Sequence, residues 1–373
     1  MTEDVGAKLR WARETAGISL SAMARMTNYS RSHLSNVESG RRRATPDVVL
    51  AYERSLEGDD VERRTLLTGL AAGVVAPMVM SEVLYGAFTD ALSVRVPVDE
   101  WWNRAQAYGR DYMTFGADEL SGRLVADLVR LNQHVDDPAV WAPAARLMTV
   151  YGKTLPANNG STGAVRWYRL AAGVADRSGD LPTRVWVRGR AALALAYEAA
   201  ELPTALELSR QAVGLAADRP SLGRLNALVA QAQVAGARGD RAGAAEAMQR
   251  ASREFDAVGS HEQVSDFAVP EWRFWTFGSM LYSRLGEEVL ATRAQESADR
   301  ARPATLPRFA THIELHRGLM LARAGDRAGG IAYAQAALDR LPPEKRSLSL
   351  RLMMAEIERT ATTAPAASTP RRS

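Results

Sequence analysis

The pentapeptide Gly239-Asp240-Arg241-Ala242-Gly243 returns as Gly325-Asp326-Arg327-Ala328-Gly329, each time between two helical runs. A related turn occurs at Gly286-Glu287-Glu288 and a weaker one at Ala200-Glu201-Leu202. A small residue follows each turn (Ala205, Ala244, Ala291, Gly330), at spacings of 39, 47 and 39 residues. Helices can approach closely only where a side chain is tiny, and a helical pair buries its apolar stripe against the next pair. A period of this size therefore restricts the chain to an α-solenoid. The turn glycine supplies positive φ at a helix end, and the following Asp caps the next helix.

Residues 99–360 are helical in pattern throughout, rich in Ala, Leu and Arg, without the alternation of a half-buried strand. Residues 1–57 form a separate helical domain. Residues 58–98 read as a linker with an apolar helix, and 361–373 as a disordered tail without apolar content. Within the linker, Arg63-Arg64 and the apolar run to Pro77 imitate a twin-arginine signal. Such signals are N-terminal, and this one follows a whole domain. The run is also too short and glycine-broken for a membrane span, so it reads as a buried linker helix or interface segment.

The chain has no cysteine, which excludes a disulfide framework, a thiolate metal site and a cysteine nucleophile, and fits a cytoplasmic location. Lysine occurs three times (Lys8, Lys153, Lys345), and arginine supplies all other basic residues. With abundant Ala and Gly this is the bias of a high-GC genome.

Two copies of the helical pattern carry more than small residues. One keeps Trp275, Gly278, Tyr282, Gly286, Ala291, Ala298 and Pro303; the next keeps Gly318, Leu321, Gly330, Ala337 and Pro342. At these offsets the region resembles tetratricopeptide repeats with longer helices, forming a superhelix over about 117–358.

In the N-terminal domain, an amphipathic helix over Gly6–Gly17 is followed by Ser19, which can cap a second helix through Met26. Ser30 can cap a third helix from Arg31 to about Ser39, closed by Gly40. Arg41-Arg42-Arg43 and a further helix through Leu56 follow. Two short helices with a tight turn, then Glu38-Ser39-Gly40-Arg41, resemble the phage-repressor-like (Cro/C1, or Xre) helix-turn-helix family over about fifty residues. The expected fold class is therefore all-α: an N-terminal five-helix Cro/C1-type domain plus a C-terminal α-solenoid of tetratricopeptide-like helix pairs.

That resemblance implies core positions at Leu9, Met23, Ala24, Leu34 and Val37, and an internal ion pair between Arg13 and Glu38. It places Ser30, Arg31, Ser32, Ser35 and Asn36 on the third helix, the one that enters the major groove of double-stranded DNA. There arginine can read guanine and asparagine adenine. Arg41, Arg42 and Arg43 would meet phosphates. The second helix departs from the family by carrying Leu20 and Ser21 where glutamine is usual, which moves readout to the third helix. His33 is expected to pack.

The combination resembles actinomycete regulators whose repeat domain takes a signalling peptide or small effector. It implies a sequence-specific regulator that acts as a homodimer, because one unit reads a half-site. Candidate effector contacts are Trp167, Tyr168, Asn226, Trp272, Arg273, Trp275 and His312, with Trp275 expected in the repeat core and Asn158-Asn159-Gly160 a turn. An alternative is a DNA-bound adaptor whose repeats recruit another protein. A third reading, a helical enzyme with an autoregulatory DNA-binding module, finds no phosphate loop, His-Glu-x-x-His run or nucleophile elbow. His312 and His316 can face one another on a helix but lack a third ligand. No metal, cofactor, catalytic residue or membrane contact is expected.

Overall fold

A computed structural model describes residues 5–15, 18–55, 96–134, 136–155 and 162–362. The twin-arginine-like segment, the apolar linker helix, Asn158-Asn159-Gly160 and the tail from 363 lie outside them. The chain divides into two compact units, residues 1–88 and 89–373. Both are helical, and no strand occurs among the described residues.

The first unit contains α1 (Val5–Thr15), α2 (Leu20–Thr27), α3 (Arg31–Glu38) and α4 (Pro46–Ser55). The fifth helix expected for this domain lies outside the described residues. Ser19 Oγ accepts from the Ala22 amide and Ser30 Oγ from the His33 amide, both at 3.2 Å, so each serine satisfies a donor that the helix start leaves open. Gly40, at φ 73°, turns the chain after α3, and the Arg42 amide closes that turn on the Asn36 carbonyl at 2.9 Å. Leu9, Met23, Leu34, Val37, Val48 and Tyr52 form the buried core, with Ala24 partly buried against it.

The second unit stacks helices in consecutive pairs. These are α5 (Val98–Thr114) with α6 (Ala117–Asn132), α7 (Trp141–Gly152) with α8 (Thr162–Ser178), and α9 (Leu181–Tyr197) with α10 (Leu202–Ala216). There follow α11 (Leu222–Ala237) with α12 (Arg241–Val258), α13 (Glu271–Leu285) with α14 (Glu288–Ala301), and α15 (Pro307–Arg323) with α16 (Arg327–Asp339). Helix α17 (Leu348–Thr362) closes the row against α15 and α16. First helices of successive pairs touch one another, which is solenoid packing.

The repeated turns work as their composition predicts. Gly239, Gly286 and Gly325 have φ of 74°, 70° and 106°, and Asp240 and Asp326 accept from the Gly243 and Gly329 amides at 2.9 Å. The second glycine of each pentapeptide has a separate role: a β-carbon there would overlap the capping carboxylate. The weaker turn lacks glycine, and Ala199 and Glu201 take positive φ instead.

All four small residues are buried. At the α15–α16 crossing a β-carbon on Gly330 would stand 2.6 Å from the Gly318 carbonyl oxygen, so the backbones meet directly. The long 47-residue interval has a local cause. The pairs on either side are joined by five-residue links at 217–221 and 302–306, whereas α12 and α13 are joined by residues 259–270. Trp275 is half-buried rather than enclosed; its indole N–H donates to Glu271 at 3.3 Å beside the Phe274 ring.

Candidate functional site

On a helix each residue advances about 100°, so Arg31, Ser32, Ser35 and Asn36 share roughly 140° of α3. All four are exposed, while Leu34, Val37 and Glu38 fill the opposite face and are buried. Ser30 shapes the start of this face, accepting at the cap and lying 3.1 Å from Ser32 Oγ. Arg41, Arg42 and Arg43 are exposed directly beyond α3. A groove-sized helix with a polar outer face and three cations at its end is suited to an anionic duplex. His33 stacks on Tyr29 at 5.0 Å between centroids.

The face is held from behind by a buried polar cluster. Arg13 Nε and Nη2 donate to Glu38 Oε1 and Oε2 at 2.7 and 2.8 Å, and Tyr52 donates to Glu38 Oε1 at 2.8 Å. Arg13 Nη1 also donates to the Ile18 carbonyl at 2.9 Å. One carboxylate thus ties α1 and α4 to α3. Burial, then the bond to Glu38, raises the Tyr52 hydroxyl well above its ordinary pKa, so it remains a donor. Sequence reading missed Tyr52, whose helical spacing from Val48 and Val49 marks only an apolar face.

In the second unit, Trp272 is fully enclosed, its N–H donating to the Gln263 carbonyl at 3.2 Å. Asn226 is 2% exposed within α11, and Tyr168 is likewise buried. Trp167 is half-buried, edge-on to Tyr151 at 4.7 Å. The helical surface a sequence implies does not say which side faces a cavity. Of the four residues Trp167, Asn226, Trp272 and Arg273, the structure sets Arg273 alone on the unit's cleft, together with His312.

That cleft, roughly 640 Å³ counting space open to solvent, runs along the row of first helices. Tyr112 comes from α5, Arg190 and Tyr197 from α9, Arg273 from α13 and Arg308 from α15; Lys153 follows α7. Behind them the 259–270 link inserts Asp266, with no exposed side-chain surface. Arg190 donates to Asp266 at 2.9 and 3.1 Å and Arg273 at 2.7 Å. Lys153 Nζ lies 2.5 Å from Asp266 Oδ1, at an angle outside hydrogen-bond geometry. Burial alone would push the Asp266 carboxyl up, but Arg190, Lys153 and Arg273 outweigh it and hold it well below the carboxylate range.

The same enclosure acts on the other titratable groups. Burial, then Arg190, depresses the Lys153 amine well below its ordinary value against the pull of Asp266. Burial raises Glu198, also in the wall, to about 7 and lowers His312 to about 3. Tyr197 Oη lies 3.2 Å from His312 Nδ1 and 3.1 Å from His316 Nε2, so the histidine pair is bridged by a phenol. No cluster able to hold a metal ion occurs among the described residues. None of their helices is long and apolar enough to cross a membrane.

Sequence reading missed Lys153, Arg190, Glu198, Asp266 and Arg308. Two signals were present: the long interval that accommodates the Asp266 link, and a lysine retained where arginine is the default cation.

Comparison with known families matches residues 4–66 to the model described as a helix-turn-helix domain. No curated protein and no solved structure matches the chain.

Proposed function

We propose that this chain is a sequence-specific transcriptional regulator of the Cro/C1 (Xre) type. It places α3 in the major groove, binds as a homodimer in the cytoplasm, and answers to a peptide or small effector held by a tetratricopeptide-like helical unit. The observation that carries the reading is the division of α3. Arg31, Ser32, Ser35 and Asn36 are outward, and Leu34, Val37 and the Arg13–Glu38 pair are inward, within a matched helix-turn-helix domain. Arg31 and Asn36 are assigned to base edges, Ser30, Ser32 and Ser35 to bases or nearby phosphates, and Arg41, Arg42 and Arg43 to the backbone.

The test is a genome-wide map of bound DNA, then footprinting of one site with wild type and Arg31→Ala. A palindromic site that the substitution weakens by about 1–3 kcal/mol supports a dimer reading through α3. Binding without sequence preference, or indifferent to Arg31, overturns it.

A second reading, a DNA-bound adaptor that recruits another protein, has one observation in its favour. Val289 and Leu290, at the start of α14, are 82% and 44% exposed. Single exposed apolar residues are ordinary on protein surfaces, whereas a charged cleft is not, so the effector reading stands first.

A further inference from the structure

Basic groups outnumber carboxylates in the cleft of the second unit. Lys153, Arg190, Arg273 and Arg308 line it, against Glu198 in the wall and Asp266 behind. Asp266 is fully used by three of these cations. Arg308 donates to the Phe115 and Tyr112 carbonyls and pairs with no carboxylate among the described residues. Cations withdrawn from water without a counter-charge are costly, and the cleft is where an outside anion can supply one.

Lys153 adds an independent observation. Its side chain is 3% exposed and lines the cleft, and its Nζ, although 2.5 Å from Asp266 Oδ1, is not aligned for a hydrogen bond there and shares that carboxylate with Arg190 and Arg273. The Tyr112 ring lies 3.3 Å from that nitrogen, which excludes water from one side. In a chain with three lysines among 47 basic residues, a buried one is a marked choice. Its compact three-donor head can turn toward a ligand, as a rigid guanidinium could not.

The rest of the wall sets the ligand's character. Phe277 and Phe309 also line the cleft, and the Arg308 guanidinium lies 5.1 Å from the Phe309 ring. Glu198, raised by burial, is substantially protonated near neutral pH, so it opposes an anion less than an ordinary carboxylate would.

We propose that this cleft binds a carboxylate attached to an apolar or aromatic body, its oxygens received by Lys153 and Arg308 and its body by Tyr112 and Phe309. A small organic acid, or the last residue of a peptide ending in a free carboxylate, combines these two features. The proposal rests on the reading that the helical unit takes an effector and supplies that effector's chemical class.

The test is calorimetric titration of the full chain, without DNA, at pH 6.5 and fixed ionic strength. Probes are benzoate and N-acetyl-leucyl-phenylalanine with a free carboxylate; benzamide and the peptide amide are the uncharged controls. Saturable binding of at least one acid, about tenfold or more tighter than its amide, is expected. The tighter acid identifies the source as a small molecule or a peptide end. Lys153→Met and Arg308→Met should each weaken that binding by about tenfold or more. Amides that bind as well as the acids overturn the proposal, as does the absence of saturable binding by either acid below about 10 mM. The acid–amide comparison uses wild type alone, so a variant that fails to fold leaves the test intact. DNA footprinting on the same preparation separates failure here from failure of the regulator reading.

Discussion

Gly189 of α9 and Gly223 of α11 meet backbone to backbone. A β-carbon on Gly189 would overlap the Gly223 carbonyl oxygen, and one on Gly223 would stand 2.6 Å from the Trp186 nitrogen. Neither obstacle is a side chain that can swing away. Gly189→Ala should therefore cost about 3 kcal/mol by forcing two packed helices apart, read as a lower urea midpoint. An unchanged midpoint would show that the two backbones are not in contact.

Removing Arg13 strands the Glu38 carboxylate inside the first unit with the Tyr52 hydroxyl as its remaining side-chain partner among the described residues. Arg13→Met should destabilise this unit by about 3–5 kcal/mol and weaken DNA binding through loss of folded domain. Arg13→Met with Glu38→Leu should recover part of that loss, because no buried charge remains. Greater damage in the double variant than in the single one would refute the pairing.

His312 is held neutral inside the second unit, its pKa lowered to about 3 by burial and then Arg308. An unfolded histidine takes up its proton near pH 6.5, so the stability is present above that value. It is lost as pH falls from 6.5 toward about 3. From pH 6.5 to 5 the loss assigned to His312 is about 2 kcal/mol. Glu198 acts in the opposite sense: its raised pKa favours the native state on acidification, over about pH 7 to 4.5. The acid loss should be smaller in His312→Gln and larger in Glu198→Gln, measured by urea midpoints at both pH values.

Phosphate contacts release counterions, each contributing about 0.9 to the slope of log K against log salt. Replacing both Arg42 and Arg43 by alanine should flatten that slope by about two and weaken specific and random DNA alike. A sequence-selective loss with the slope unchanged would move these side chains from the backbone to base edges.

Ala217, after α10, is held at φ 49° and ψ −122°, a region that a β-carbon disfavours. Ala217→Gly should raise stability by about 1 kcal/mol, strain relief exceeding the added entropy of the unfolded glycine. A lower melting temperature would contradict the strain.

Local patterns were legible wherever neighbours along the chain decide the outcome. Ser19 and Ser30 were readable as caps and Gly239 and Gly325 as positive-φ turns, and the outward set on α3 followed from the resemblance to the helix-turn-helix family. Trp272 shows the limit. An aromatic beside an arginine suits a ligand wall or a core equally, and its enclosure depends on a loop partner, the Gln263 carbonyl.

The sequence by itself determined that the described chain is helical, that a helix-turn-helix opens it, and that helix pairs recur with small residues at their crossings. Spacing and capping act over a few residues, so they are written locally. Only the tertiary structure decided which residues meet in the cleft. Lys153, Arg190, Asp266 and Arg308 are scattered over 153–308 and converge because successive first helices share one side of the stack. Their charges become consequential through burial, which weakens screening by water and makes each unpaired ion costly. Burial belongs to the assembled fold and to no segment of it.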